Sequence, residues 1–209
     1  LYAFARMTNM KKNEDGEYSL LSIPFAQYVK GDFDFAKNVV IDNRNSIAFH
    51  VGAGIAVPYG NATIVPFEKR YFSGGANSVR GWSVRDLVPG DGNFMNQSGD
   101  IKLDANIEYR TRLFWKFRGA VFVDAGNIWT LRDYKDQPGG KFEFNKFYKQ
   151  IAVAYGLGLR LDLDFFVLRF DGGMKAVNPV YNNRKEHFPI IHPKFSRDFA
   201  FHFAVGYPF

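Results

Sequence analysis

Between Ile101 and Leu113 the odd positions read Ile101, Leu103, Ala105, Ile107, Tyr109 and Leu113, broken only by Thr111. The even positions are Lys102, Asp104, Asn106, Glu108, Arg110 and Arg112. A period of two sends the two sets to opposite faces of an extended chain, so this segment predicts a β-strand with one apolar and one polar face. The same period runs through 152–164, where Val153, Tyr155, Leu157, Leu159, Leu161 and Leu163 share a face. At the end of the chain Phe199, Phe201, Phe203, Val205, Tyr207 and Phe209 alternate with Asp198, Ala200, His202, Ala204 and Gly206. Less regular copies over 24–39, 46–58, 117–129 and 165–175, and a weaker one over 1–7, bring the count to about eight strands. No segment carries a convincing helical period. Short turns are expected at 114–117 and 163–165, long connections at 59–99, 130–149 and 176–196.

These elements predict an all-β fold, an antiparallel transmembrane β-barrel, forming a single domain over 1–209 with the long loop 59–99 between two strands. Strands of roughly 9–14 residues suit a tilted crossing of a bilayer, and no apolar run reaches the ~18 residues that a spanning helix needs. The apolar face is bulky and aromatic, whereas the opposite face mixes glycine, alanine and charges of both signs. Glycine in mid-strand weakens a soluble sheet surface, but a barrel lumen accommodates small residues and pairs its charges internally. The aromatic face is therefore assigned to lipid. A soluble lipid-binding β-barrel, with the apolar side inward, is the alternative reading of the same alternation.

Composition sharpens this picture. The 209 residues are 46% hydrophobic and 18% aromatic, with 23 Phe and 11 Tyr, yet the mean hydropathy is -0.24. Apolar residues are thus diluted one by one, as barrel strands require. The absence of cysteine excludes disulfides, thiolate catalysis and cysteine-based zinc sites. The net charge of +6 is dispersed among acids rather than gathered on one face, which argues against nucleic acid. No basic-then-apolar leader opens the chain at Leu1, so the sequence is expected to be a mature form or a piece of a longer barrel.

One connection carries unusual chemistry: "FSGGANSVRGWSVRDLVPG" at 72–90. It has neither the Walker spacing nor a following helix, so a phosphate cradle is excluded. In strand 117–129, Phe122, Asp124 and Gly126 share the even face, and in the preceding strand Glu108 points the same way. An arginine delivered to that face would meet two carboxylates suited to its planar fork. Asp162 and Asp164 share a face in the manner of a glycosidase pair, but Arg160 and Arg169 nearby favour ion pairing over acid–base work. His187 and His192 lie in a loop without fixed geometry, so no metal is expected there. His202, on the small-residue face, is assigned a structural role, and nothing in the chain calls for a cofactor or an enzyme's nucleophile.

The loop resembles the large loop of the BamA/TamA-type outer-membrane insertase (bacterial surface antigen) superfamily, which also includes two-partner secretion translocators, and it is most similar to TamA-like members. Val79, Arg80, Gly81 and Trp82 match the family's Val-Arg-Gly-aromatic core, with tryptophan in place of the more frequent Phe or Tyr. Gly74 and Gly75 match its upstream glycine pair, and Phe122, Asp124 and Gly126 match its Phe-x-Asp-x-Gly strand. The run Phe201, Phe203, Val205, Tyr207 and Phe209 resembles the C-terminal signal read by barrel-assembly machinery. The resemblance, over roughly 45–209, implies a loop folded into the lumen with Arg80 on Asp124, and Glu108 second. It implies protein assembly or translocation at the cell outer membrane without chemical catalysis. The implied partners are outer-membrane lipids, unfolded client proteins and periplasmic accessory proteins. An eight-strand lumen is just filled by its own side chains, too small for a loop of this length. The expectation is therefore the C-terminal half of a larger barrel, with a small structural or adhesive barrel as the other possibility.

Overall fold

The computed structural model describes residues 18–20 and 23–209. Two residues at each of β1 (Ser19–Leu20) and β2 (Ile23–Pro24) form a minimal ladder. The remaining strands make one antiparallel sheet in chain order: β3 (Gln27–Val40), β4 (Asn45–Tyr59), β5 (Ile101–Arg112), β6 (Phe117–Trp129), β7 (Ala152–Asp162), β8 (Val167–Val177) and β9 (Phe199–Val205). Among the described residues the helical elements are short: two single-turn α-helices, α1 (Arg184–His187) and α2 (Phe195–Asp198), and two 3-10 turns at Phe67–Lys69 and Phe147–Gln150. No helix among the described residues is long and apolar enough to cross a membrane.

The connections alternate in length. Residues 41–44, 113–116 and 163–166 turn tightly at one rim, while 60–100, 130–151 and 178–198 span the other. The tight turns have local causes. Asp42 Oδ1 accepts from the Arg44 and Asn45 amides at 2.7 and 2.9 Å, an Asx turn. Trp115 and Asp164 adopt left-handed backbone in the other two.

Burial is inverted relative to a soluble sheet. In β6, Val121 and Val123 are 52% and 48% exposed, whereas Phe122 and Asp124 between them are 1% and 0% exposed. In β5, Ile107 is exposed and Glu108 is fully buried. Charged groups therefore face inward and aliphatic ones outward, which fits a membrane strand and not a water-soluble one. The edge strand β3 is exposed on both faces over most of its length.

Seven long strands form an open sheet, β3 and β9 being unpaired on their outer sides among the described residues, as expected for a piece of a larger barrel; the strand expected over 1–7 lies outside the described residues. One feature departs from the sequence reading: the C-terminal alternation stops early. Phe201, Phe203 and Val205 point outward on β9, but Gly206, at φ +91°, ends the strand, its amide donating to the Val167 carbonyl at 2.7 Å. The chain then bends over the inner face. Tyr207 lies 4.6 Å from the Arg110 guanidinium, and Phe209 stacks on His50 at 5.2 Å. Left-handed backbone is freely available only to glycine, and Pro208 has no amide to continue a ladder. The residue pattern continues there, but the strand does not.

Candidate functional site

The 60–100 loop folds against the inner face of the sheet, and a glycine pair starts the fold. Gly74 and Gly75 sit at φ +96° and +94°, and the Gly75 amide donates to the Trp82 carbonyl at 2.9 Å. This pinches the loop so that 78–82 form its tip. Val79, Trp82 and Leu87 pack on Ala152 and Ala154 of β7. Close approach needs missing side chains on both partners. A Cβ on Gly81 would come within 2.8 Å of the Ala154 Cβ, and one on Gly173 of β8 would overlap the Arg80 carbonyl.

Arg80 is delivered to the wall at that point. Its Nε and Nη2 donate to Asp124 Oδ2 and Oδ1, both at 2.8 Å, and its backbone amide adds a third bond to Oδ2 at 3.0 Å. Nη1 donates to Glu108 Oε2 at 2.5 Å. The Phe122 ring lies under the guanidinium, 3.5 Å from ring centre to carbon. Thus Phe122 and Asp124, two residues apart on one face, supply the platform and the fork. Gly126, the next inward position, leaves room for Asp104, whose Oδ1 accepts from Ser78 Oγ at 2.9 Å. Asn106 Nδ2 bridges the Ser78 carbonyl and Asp124 Oδ1, both at 2.9 Å. Burial alone would disfavour the charge on Arg80, but the Asp124 hydrogen bonds and the charges of Asp124 and Glu108 outweigh it and raise its pKa above the ordinary guanidinium value. Arg80 is therefore cationic at every pH at which the protein folds.

One carboxylate of this cluster, Asp171, is not singled out by the sequence reading, and it draws in Arg160 and Arg169, which are. Asp171 on β8 accepts from Arg160 Nη1 at 2.5 Å and lies 3.3 Å from Arg169 Nε. Arg160 Nη2 also donates to Glu108 Oε2 at 2.9 Å, and Arg169 Nη2 reaches Asn77 of the loop at 2.6 Å. His202 Nε2 donates to the Arg80 carbonyl at 3.0 Å, joining β9 to the loop tip. The sequence does place Asp171 two residues from Arg169, on the same strand face, which is the signal that finds it. Asp162 and Asp164 pair elsewhere, at the short-turn rim. Asp162 bonds Arg118 at 3.0 Å and Asp164 bonds Lys116, rather than Arg160 or Arg169. His187 Nδ1 donates to the Tyr181 carbonyl at 2.9 Å, and His192 is exposed.

A second set of polar contacts clasps the loop at the opposite rim. Arg70 Nε donates to Asp100 Oδ1 at 3.1 Å and its Nη2 to Gln137 Oε1 at 3.0 Å. Asn127 Nδ2 donates to the Gly90 carbonyl at 2.8 Å. The loop is held at its tip by charges and at its base by neighbouring loops.

Residues 22–209 match the Omp85 superfamily domain. The chain belongs to the Omp85 superfamily. At family level, Omp85 proteins are outer-membrane barrels engaged in protein assembly and translocation. Two solved structures share the fold of this Omp85 chain. One is BamA from Haemophilus ducreyi lacking POTRA domains 1-3, with a TM-score of 0.60, 18% identity, and coverage of 86% of this chain and 35% of that one. The other is CdiB from Acinetobacter baumannii, with a TM-score of 0.51, 18% identity, and coverage of 86% and 27%. The chain thus spans about a third of their length, and at this identity the likeness speaks for the fold.

Proposed function

We propose that this Omp85 chain forms the wall and lumen plug of an outer-membrane barrel that assembles or translocates other proteins, without chemical catalysis. On this reading, Arg80 pins the loop 60–100 inside the barrel, and the edge strand β9 is where client strands pair. The observation that carries the reading is the fully buried Arg80 fork on Asp124 and Glu108. Such an arrangement has no role in a lipid-binding β-barrel with an apolar interior. Unpaired strand edges add new strands readily, and a pinned plug keeps the lumen side of that edge fixed while they do.

The pin is tested by a double-mutant cycle. Arg80→Ala and Asp124→Ala should each cost about 3–5 kcal/mol, because each leaves a buried charge without its partner. The double variant should cost little more than either alone, read by urea titration in lipid vesicles and by protease protection of 72–90. Additive costs would remove the pairing. The activity is tested separately: vesicles carrying the chain should speed the folding of an unfolded barrel client over empty vesicles. Equal rates would overturn the assembly reading.

A further inference from the structure

The outer face of the sheet carries a groove that the loop-arginine site does not use. It has a volume of about 480 Å3 and lies at the long-loop rim, between the strands and the 130–151 loop. Register creates it: Gly31, Ile55, Ile101 and Trp129 are successive cross-strand partners on outward positions. Gly31 leaves its share of the row empty, since a Cβ added there would meet open space, and Ala53 is small in the adjacent row of Phe33 and Leu103. On the other side the loop raises a wall. Phe142 and Phe147 meet Trp129 edge-on at 5.5 and 6.3 Å. Trp129 Nε1 donates to Gln150 Oε1 at 2.8 Å, so the buried indole leaves no unpaired N–H in the wall behind the groove.

The loop that supplies the groove's aromatic wall is net basic. Segment 130–151 holds Arg132, Lys135, Lys141, Lys146 and Lys149 against Asp133, Asp136 and Glu143. Lys141 is paired with Asp133 at 2.9 Å and Lys146 with Glu143 at 2.8 Å. Lys135 and Lys149 have no acidic partner among the described residues, and Lys149 sits in the same helical turn as Phe147. An apolar trough whose wall continues, two residues beyond Phe147, into the uncommitted cation Lys149 matches an amphiphile with an anionic head, and a purely apolar peptide would leave that cation unused.

We propose that this groove seats one acyl chain of a phosphate-bearing membrane lipid, with the phosphate at Lys149 beside Phe147. The proposal rests on the membrane-spanning reading of the sheet. Native mass spectrometry of the full chain in mixed micelles tests it, with phosphatidylglycerol and phosphatidylcholine as probes. The wild-type chain should retain phosphatidylglycerol over phosphatidylcholine by on the order of tenfold, the effect of one or two lysines at an anionic headgroup. Gly31→Leu, which fills the trough without touching the lumen, should lose both lipids. Lys149→Glu should keep an acyl lipid but lose the preference. Equal retention by the wild type, or unchanged retention by Gly31→Leu, overturns the proposal. So does displacement of the lipid by millimolar inorganic phosphate alone, or a lipid-free dimer, which would give the groove to a second copy. Quenching of an Ile107→Trp probe by brominated acyl chains reports membrane insertion independently. Insertion without lipid preference would defeat the groove proposal and leave the barrel reading intact.

Discussion

Arg80 and Arg169 are both buried guanidinium groups, and they should behave differently when removed. Arg80 has every donor edge engaged by Asp124 and Glu108. Arg169 leaves Nε and Nη1 without hydrogen-bond partners, and its carboxylate, Asp171, is already bonded by Arg160. Removing a fully paired group strands its partners, whereas replacing a poorly paired ion by an apolar chain is often neutral. Arg169→Met is therefore expected to change stability by less than about 1 kcal/mol, against about 3–5 kcal/mol for Arg80→Ala, in parallel urea titrations. Arg80→Lys should resemble Arg80→Ala, since a single ammonium cannot form the Asp124 fork. The glycines that admit the loop are equally specific. Gly81→Ala is expected to loosen the tip, because its Cβ would stand 2.8 Å from that of Ala154, and protease sensitivity of 72–90 should rise accordingly.

At the scale of elements, β9 is held at its start by Asp198. Its Oδ2 accepts from the Lys194 amide at 2.8 Å, and Arg197 Nε donates to Oδ1 at 2.7 Å. Burial opposes the charge of Asp198, but the Arg197 hydrogen bond and the Lys194 amide prevail and hold the carboxyl below its usual value. A carboxyl with a depressed pKa stabilises fully above its ordinary value of ~3.9 and loses that contribution as pH falls through the lower, folded value. Protease protection of the 178–198 loop should therefore be flat from neutrality down to about pH 4 and fall only below it. Asp198→Asn should lack this acid step. An unchanged acid step in that variant would assign the transition to other groups.

At the scale of the whole molecule, the inverted sheet makes a sharp demand. Val121→Arg places a charge on the outer face of β6, mid-strand, and should cost about 2–4 kcal/mol in vesicles. On a water-soluble surface the same change would lie within ±0.5 kcal/mol. Much of this architecture is legible in the sequence. Seven strands show as period-two runs, and the parity of Glu108, Phe122 and Asp124 places them on one face before any coordinates. Parity works because a strand gives each residue only two directions. It fails where the backbone leaves the strand: Tyr207 and Phe209 keep the apolar rhythm but turn inward after Gly206, and the sign of a glycine's φ is not written in its neighbours. Partnerships at long range are hidden for a related reason. Asp171 and His202 come to the loop tip through the curvature of the sheet, which no local pattern encodes.

The separation of those partners along the chain sets an order of events. Each strand pairs with the next along the chain, β4 and β5 across the long loop itself, so the sheet grows strand by strand. The loop tip instead waits for residues 28, 44 and 122 positions later, at Glu108, Asp124 and His202. A site drawn from β5, β6 and β9 together completes only when the last of these strands is in place, and its contact over 122 positions is longer in sequence than any strand pairing, which makes it slow to form. Folding therefore ends with the plug: in pulse proteolysis during refolding, protection of the strands should precede protection of 72–90. The guanidinium made before all of its partners is the last group to find its place.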